Sequence, residues 1–150
     1  MMQSFLLSFV TATILLGYEP RELQCLSEAI YFEARGEPLI GQLAVGNVIM
    51  NRVSSPRFPN TICKVVHQGR KINGQMVRNK CQFSYYCDGK TEEMTDAEAL
   101  IISSTVAMNV LLEPPMFMET ATHYHAIFVE PDWSLEFEWL GRIGNHDFYQ

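Results

Sequence analysis

The stretch from Ile40 to Val53 constrains this chain most, because Leu43, Ala44, Val45, Val48, Ile49 and Met50 spread apolar side chains over nearly every side of a helical projection. A helix without a polar face does not lie on a surface, so this one is expected at the buried centre of the fold. The chain has 150 residues, 47% of them hydrophobic, enough to bury such a helix in one domain without help from a metal or an oligomer. A monomer is the expectation.

The segments around it read as follows. Arg21 to Arg35 predicts a helix, with Leu23, Leu26 and Ile30 recurring at three- and four-residue steps and Gly36 and Pro38 ending it. Ser54 to Asn60 contains two prolines and reads as a loop, and Asn60 would cap a short helix over Thr61 to Gln68. Gly69 to Gly89 reads as mostly irregular. Thr95-Asp96-Ala97-Glu98 has the pattern of a capping box. It would open a helix with Ala97, Leu100, Ile101, Ser104, Met108, Leu111 and Leu112 on its packed side, ended by Pro114-Pro115. Thr120 to Val129 and Ile143 to Tyr149 are rich in β-branched and aromatic residues and look extended. The fold class expected is α+β, mostly helical, with a small β-sheet near the C-terminus.

Residues 1–18 stand apart from the domain expected over 19–150. They hold no charged side chain, and Ser4 to Gly17 (SFLLSFVTATILLG) has about the length of a signal-peptide apolar core while being short for a membrane span. No Lys or Arg precedes this run, and no A-x-A-like site follows it. A hydrophobic leader, acting as export signal or membrane anchor, is one reading; an N-terminal core helix is the other. Export would favour disulfides among Cys25, Cys63, Cys81 and Cys87, with Cys81 to Cys87 closing a small loop, whereas in the cytosol they would remain thiols. The net charge of −6 argues against nucleic acid as a partner but not against a glycan.

One feature of the first helix points to chemistry. Its apolar stripe continues from Leu23, Leu26 and Ile30 to Glu33, with Glu37 next. A carboxylate on a core-facing stripe is costly unless paired or neutral. Desolvation and the negative end of the helix dipole both raise a carboxyl pKa. An acid still protonated near neutral pH is what general-acid cleavage of a glycosidic bond requires. On spacing alone the blander reading is favoured, because helix ends often carry Glu near Arg: a structural ion pair of Glu33 or Glu37 with Arg35 or Arg52.

Several ordered segments carry a resemblance. Ala29–Glu37 (AIYFEARGE), Gly41–Val45 (GQLAV), Asn51–Val53 (NRV) and Arg57–Thr61 (RFPNT) come first. Cys81–Ser84 (CQFS), Ala121–His125 (ATHYH) and Arg142–Tyr149 (RIGNHDFY) follow. Together, from about Leu26 to Tyr149, the sequence resembles the cell-wall hydrolase family of the spore-cortex-lytic enzymes. The resemblance implies a lysozyme-like catalytic domain that cuts peptidoglycan glycan strands between N-acetylmuramic acid and N-acetylglucosamine by lytic transglycosylation. It places the essential acid at Glu33, with Glu37 as the fallback, and implies no metal or other cofactor. The expected location is outside the cytoplasm, in periplasm or cell wall, with membrane association through the leader; a phage or bacterial lysis enzyme would suit this shape.

Gln82, Phe83, Ser84, Tyr85 and Tyr86 form a polar and aromatic cluster suited to stacking on sugar faces. His123 and His125 would share one face of a strand and line the cleft near Glu33, with Tyr124 opposite. His146 is expected to be structural and His67 superficial. Two rival functions remain. His123, His125, Cys81, Cys87 and Glu33 include acceptable zinc ligands, which suggests a zinc amidase acting on the peptide stem, although H-E-x-x-H and paired C-x-x-C motifs are absent. The other is a non-catalytic wall-binding module.

Overall fold

The computed structural model describes residues 17–150. The leader expectation therefore lies almost wholly outside the described residues. Among those described, no helix is long and apolar enough to cross a membrane.

Helix α1, Pro20–Ala34, starts at a proline whose fixed φ suits the first helical turn. It buries Leu23, Leu26 and Ile30 as its period requires, together with Cys25, Ala29 and Tyr31. Helix α2, Leu39–Val53, is the expected central helix, with Ala44, Val45, Val48 and Ile49 at zero exposure. Its Gly46 permits close helix crossing: a Cβ there would meet Val110 at 2.8 Å and Ile30 at 3.3 Å.

Helix α3, Ile62–Val66, is capped by Thr61, whose hydroxyl accepts from the Lys64 amide at 3.3 Å; Asn60 is not the cap. The Glu22 carboxylate supports the same end, accepting from the amides of Ile62 and Cys63 at 2.5 and 3.4 Å. Helix α4, Ala97–Leu112, is capped by Asp96 rather than Thr95, through a 3.0 Å bond from the Ala99 amide. Its buried side is Ser103, Val106, Ala107 and Val110, while Ile101 and Leu112, assigned to the packed side from the sequence, are exposed.

The stretch read as irregular contains a hairpin. Strands β1, Gly69–Ile72, and β2, Gln75–Cys81, pair antiparallel around Asn73-Gly74. Both turn residues have positive φ, 50° and 79°, the requirement of a two-residue turn matched to strand twist. A 3-10 turn, Ser84–Cys87, follows. The C-terminal sheet is fully antiparallel, in the order β3 (His123–Ala126), β5 (His146–Tyr149), β4 (Trp139–Ile143).

Two cores result. One joins α1, α3 and α4 with Phe83 and Tyr85. The other lies between α2 and the sheet, where Ala44, Val45 and Val48 meet Ala121 and Phe148. Disulfides Cys25–Cys63 and Cys81–Cys87 tie α1 to α3 and close the small loop expected from the spacing.

Candidate active site

Glu33 occupies the last turn of α1, on the stripe begun by Leu23, Leu26 and Ile30. It is only partly exposed, and burial pushes its carboxyl above the usual range. A single strong hydrogen bond works against that rise: the Tyr124 hydroxyl donates to Glu33 Oε2 at 2.8 Å. Tyr124 remains a donor at all relevant pH, because burial and the neighbouring Glu33 charge hold its phenol well above its ordinary value. The pair therefore combines a desolvated acid with a neutral donor aimed at one of its oxygens.

Polar side chains of α2 fix where Tyr124 stands. Asn47 donates to the Phe117 carbonyl at 3.1 Å, and Asn51 to the carbonyls of Met118 and Ala121 at 3.3 and 2.8 Å. Arg52 donates through Nε to the Thr122 carbonyl at 2.7 Å. Its buried guanidinium also lies over the rings of Phe58 and Phe83, at 5.0 and 5.6 Å. These bonds hold residues 117–122, the approach to β3, against the central helix. The reason for polar residues on an otherwise apolar helix is thus the placement of one strand.

Glu37 does different work. Its carboxylate accepts from the Asn145 amide at 2.8 Å and from Asn145 Nδ2 at 3.2 Å. Asn145 shares with Gly144 the two-residue turn between β4 and β5, and Gly144 has φ +56° with the Glu37 carboxylate where a Cβ would stand. Glu37 pins this turn to the start of α2. Neither glutamate pairs with Arg35 or Arg52: among the described residues the only ion pair is Arg142–Asp147, and Arg35 lies 4.6 Å from the centroid of the Tyr31 ring. The ion-pair reading of this helix end is corrected accordingly.

The remaining candidates divide. Strand periodicity does put His123 and His125 on one face and Tyr124 on the other, but Tyr124 is the one that reaches Glu33. His123 stacks on Phe137 at 4.2 Å beside Trp133, and desolvation with the nearby Arg52 and Arg57 charges lowers its pKa to about 4. His125 meets the Tyr149 hydroxyl at 2.9 Å. Neither histidine is hydrogen-bonded to Glu33: the contact comes from Tyr124, while His123 and His125 sit in this aromatic arrangement. His146 is buried against Tyr124, and His67, expected at the surface, is half-buried and stacked on Tyr86 at 4.0 Å.

Within Gln82–Tyr86, Gln82 and Ser84 are exposed, whereas Phe83 belongs to the core. Tyr85 stacks on Phe32 at 4.8 Å, next to the acid. Its phenol is pushed up by burial and by the charges of Glu28, Glu33 and Glu92. Glu28 in turn is raised by burial and by Glu92. Sequence reasoning missed Glu28 and Glu92 as neighbours of this site. Glu28 lies on α1 outside the Leu23–Glu33 stripe, and Glu92 sits in a loop without a motif.

The zinc donors suggested by the sequence are not gathered into one site. Cys81 and Cys87 are joined to each other, and His125 is bonded to Tyr149 while Glu33 is bonded to Tyr124.

The family model for cell wall hydrolases matches residues 36–149. The chain belongs to the cell wall hydrolase family. Glu33 stands just ahead of the matched segment. Among curated relatives, the spore cortex-lytic enzyme of Bacillus cereus is 48% identical over 54 residues, which is 36% of this chain and 21% of that enzyme. The spore cortex-lytic enzyme of Bacillus subtilis is 44% identical over 52 residues, 35% of this chain and 17% of that enzyme. The aligned part thus spans about a fifth of these relatives. Among solved structures, the catalytic domain of the germination-specific lytic transglycosylase SleB from Bacillus anthracis superposes with a TM-score of 0.71 at 28% identity, covering 89% of this chain and 98% of that domain. The catalytic domain of the Bacillus cereus SleB protein gives 0.67 at 25%, covering 89% and 92%. The lysozyme-like α+β architecture of this cell wall hydrolase domain follows from these likenesses.

Proposed function

We propose that this cell wall hydrolase domain cleaves peptidoglycan glycan strands between N-acetylmuramic acid and N-acetylglucosamine as a lytic transglycosylase, with Glu33 as acid and then base. The observation that carries this reading is the desolvated Glu33 carboxyl held by the Tyr124 hydroxyl. The likeness to a domain described as a lytic transglycosylase supports the reaction class.

Protonated Glu33 gives its proton to the glycosidic oxygen as the bond from muramic C1 breaks. The sugar's N-acetyl oxygen shares the positive charge that develops at C1. The Glu33 carboxylate then takes the proton of the muramic C6 hydroxyl as that oxygen bonds to C1. A 1,6-anhydro ring closes, no water is added, and Glu33 ends protonated again. Tyr124 is a positioning residue in this scheme, since its donor stabilises Glu33 whenever the carboxylate forms. Hydrolysing glycosidases require a second carboxylate near the scissile bond. Glu37 is held by Asn145, so that role would fall first to Glu28. Export, or anchoring through residues 1–18, places the domain where peptidoglycan lies and belongs to the same proposal.

The test is turnover of purified wall by wild type and by Glu33→Gln. Soluble anhydro-muropeptides from wild type and none from the variant support the reading. Equal turnover by both sinks it.

A further inference from the structure

Positive charge in this acidic chain is concentrated in one place. Residues 64–90 contain Lys64, Arg70, Lys71, Arg78, Lys80 and Lys90, six of the eleven basic side chains, against a single acid, Asp88. All six are exposed, and none forms an ion pair among the described residues. Among the described residues the Arg78 side chain bonds only to the Asp88 carbonyl, at 3.2 Å. The rest of the chain is strongly negative. Two of these lysines, Lys64 from α3 and Lys71 from β1, line an open groove of about 700 Å³ between α3 and the hairpin, together with His67 and Tyr86. Gly69 keeps the hairpin close, since a Cβ there would meet Met76 Sδ and Cys81 Sγ at 2.6 and 2.8 Å.

One wall of the groove, Tyr86, belongs to the same turn as a residue packed next to the proposed acid. Tyr86 is adjacent in the chain to Tyr85, whose ring stacks on Phe32 beside Glu33. Cys81–Cys87 ties the hairpin to that turn, and Cys25–Cys63 ties α3 to α1. We infer that this groove binds the carboxylates of the peptide stem carried by the muramic residue of the bound strand. The inference rests on the glycan-cleavage reading above. A glycan strand presented to Glu33 brings its stem with it, and four extended residues reach about 13 Å. Free stem carboxylates are the anions that would then lie near Lys64 and Lys71. A free wall phosphate polymer matches the charge equally but is not carried to the groove by the strand that Glu33 engages, and the net charge of −6 disfavours nucleic acid.

The experiment compares glycan strands with intact stems and strands stripped of stems by an amidase. Full-length protein is used, as wild type, Lys64→Glu/Lys71→Glu and Lys64→Gln/Lys71→Gln. Charge reversal should lower kcat/KM on stem-bearing strands by about tenfold at low salt, through KM, with the neutral double variant between. At high salt the difference should fade, as screening dictates. Stem-free strands should be cut at the same rate by all three. Equal losses on both strands, or no loss on either, would overturn the inference. Loss confined to walls bearing a polyol-phosphate polymer would also overturn it, in favour of that polymer. Binding of both strand types to Glu33→Gln, with and without the lysine changes, is measured by co-sedimentation. A stem preference there that disappears on charge reversal supports the groove even where no cleavage occurs, so failure of the cleavage reading shows separately.

Discussion

Replacing Tyr124 by Phe removes one oxygen and, with it, the 2.8 Å hydrogen bond to Glu33 Oε2. A hydrogen bond to a charged group contributes about 1.5–3 kcal/mol. That stabilisation exists only when Glu33 is a carboxylate, the state formed as the glycosidic oxygen takes its proton. The variant should therefore lose about 10- to 150-fold in kcat, since about 1.4 kcal/mol corresponds to a factor of ten. The pH profile should move as well. The bond lowers the Glu33 pKa against the upward push of burial, so losing it raises the pKa further. The alkaline limb of kcat/KM, which reports loss of the acid's proton, should move to higher pH while the plateau falls. A purely structural role for Tyr124 would lower the folded fraction and leave the limb in place. The assay is release of soluble muropeptides from purified wall across pH 4–9 (a range of about five units spanning carboxyl and histidine titrations), with Tm recorded alongside. An unmoved limb, or one moved to lower pH, would refute the argument.

Other outcomes follow from the same contacts. Glu33→Gln should raise Tm at neutral pH: the buried carboxyl binds its proton more tightly folded than unfolded, so wild type loses relative stability as pH rises from the ordinary carboxyl range through its raised folded pKa. The gain should vanish below that range, and a gain independent of pH would contradict the assigned cause. Glu37→Ala should cost about 0.5–1.5 kcal/mol in denaturant unfolding by removing the acceptor of the exposed Asn145 amide; unchanged stability with lost activity would return Glu37 to the chemistry. Removing Cys25–Cys63, with its separation of 38 residues, should destabilise by about 4 kcal/mol, and removing Cys81–Cys87, separation 6, by about 2 kcal/mol, compared by unfolding of the paired Ser variants. A chelator should leave turnover unchanged, because the Cys81 and Cys87 thiols are bonded to each other; loss restored by zinc would revive the amidase.

The sequence was most legible where one helix face is unambiguous. Leu23, Leu26 and Ile30 marked the stripe of α1, and extending it by one step placed Glu33 where the structure has it. Helix α4 is apolar on most sides, so periodicity could not choose a face, and the buried one runs through Ser103, Val106, Ala107 and Val110. The hairpin was missed although Asn73-Gly74 signals a two-residue turn, because Arg70, Lys71, Arg78 and Lys80 obscure the alternation expected of strands. For β3, a period of two separated Tyr124 from His123 and His125 but did not say which side meets α1. That choice is made by Asn47, Asn51 and Arg52, which bond to backbone carbonyls some seventy residues away. Carbonyl acceptors carry no side-chain signature, so no pattern of residue types announces them. The role of Glu37 was hidden in the same way, its main partner being a backbone amide.

In the proposed mechanism one carboxyl, Glu33, serves as both acid and base. Mass spectrometry of wall digested by the protein tests it most directly, with Glu33→Gln as the control. Transglycosylation by Glu33 should give muropeptides about 18 Da lighter than hydrolysed ones, since no water is added, and none from the variant. Ordinary reducing ends from wild type would contradict it and turn the search to a second carboxylate, beginning with Glu28.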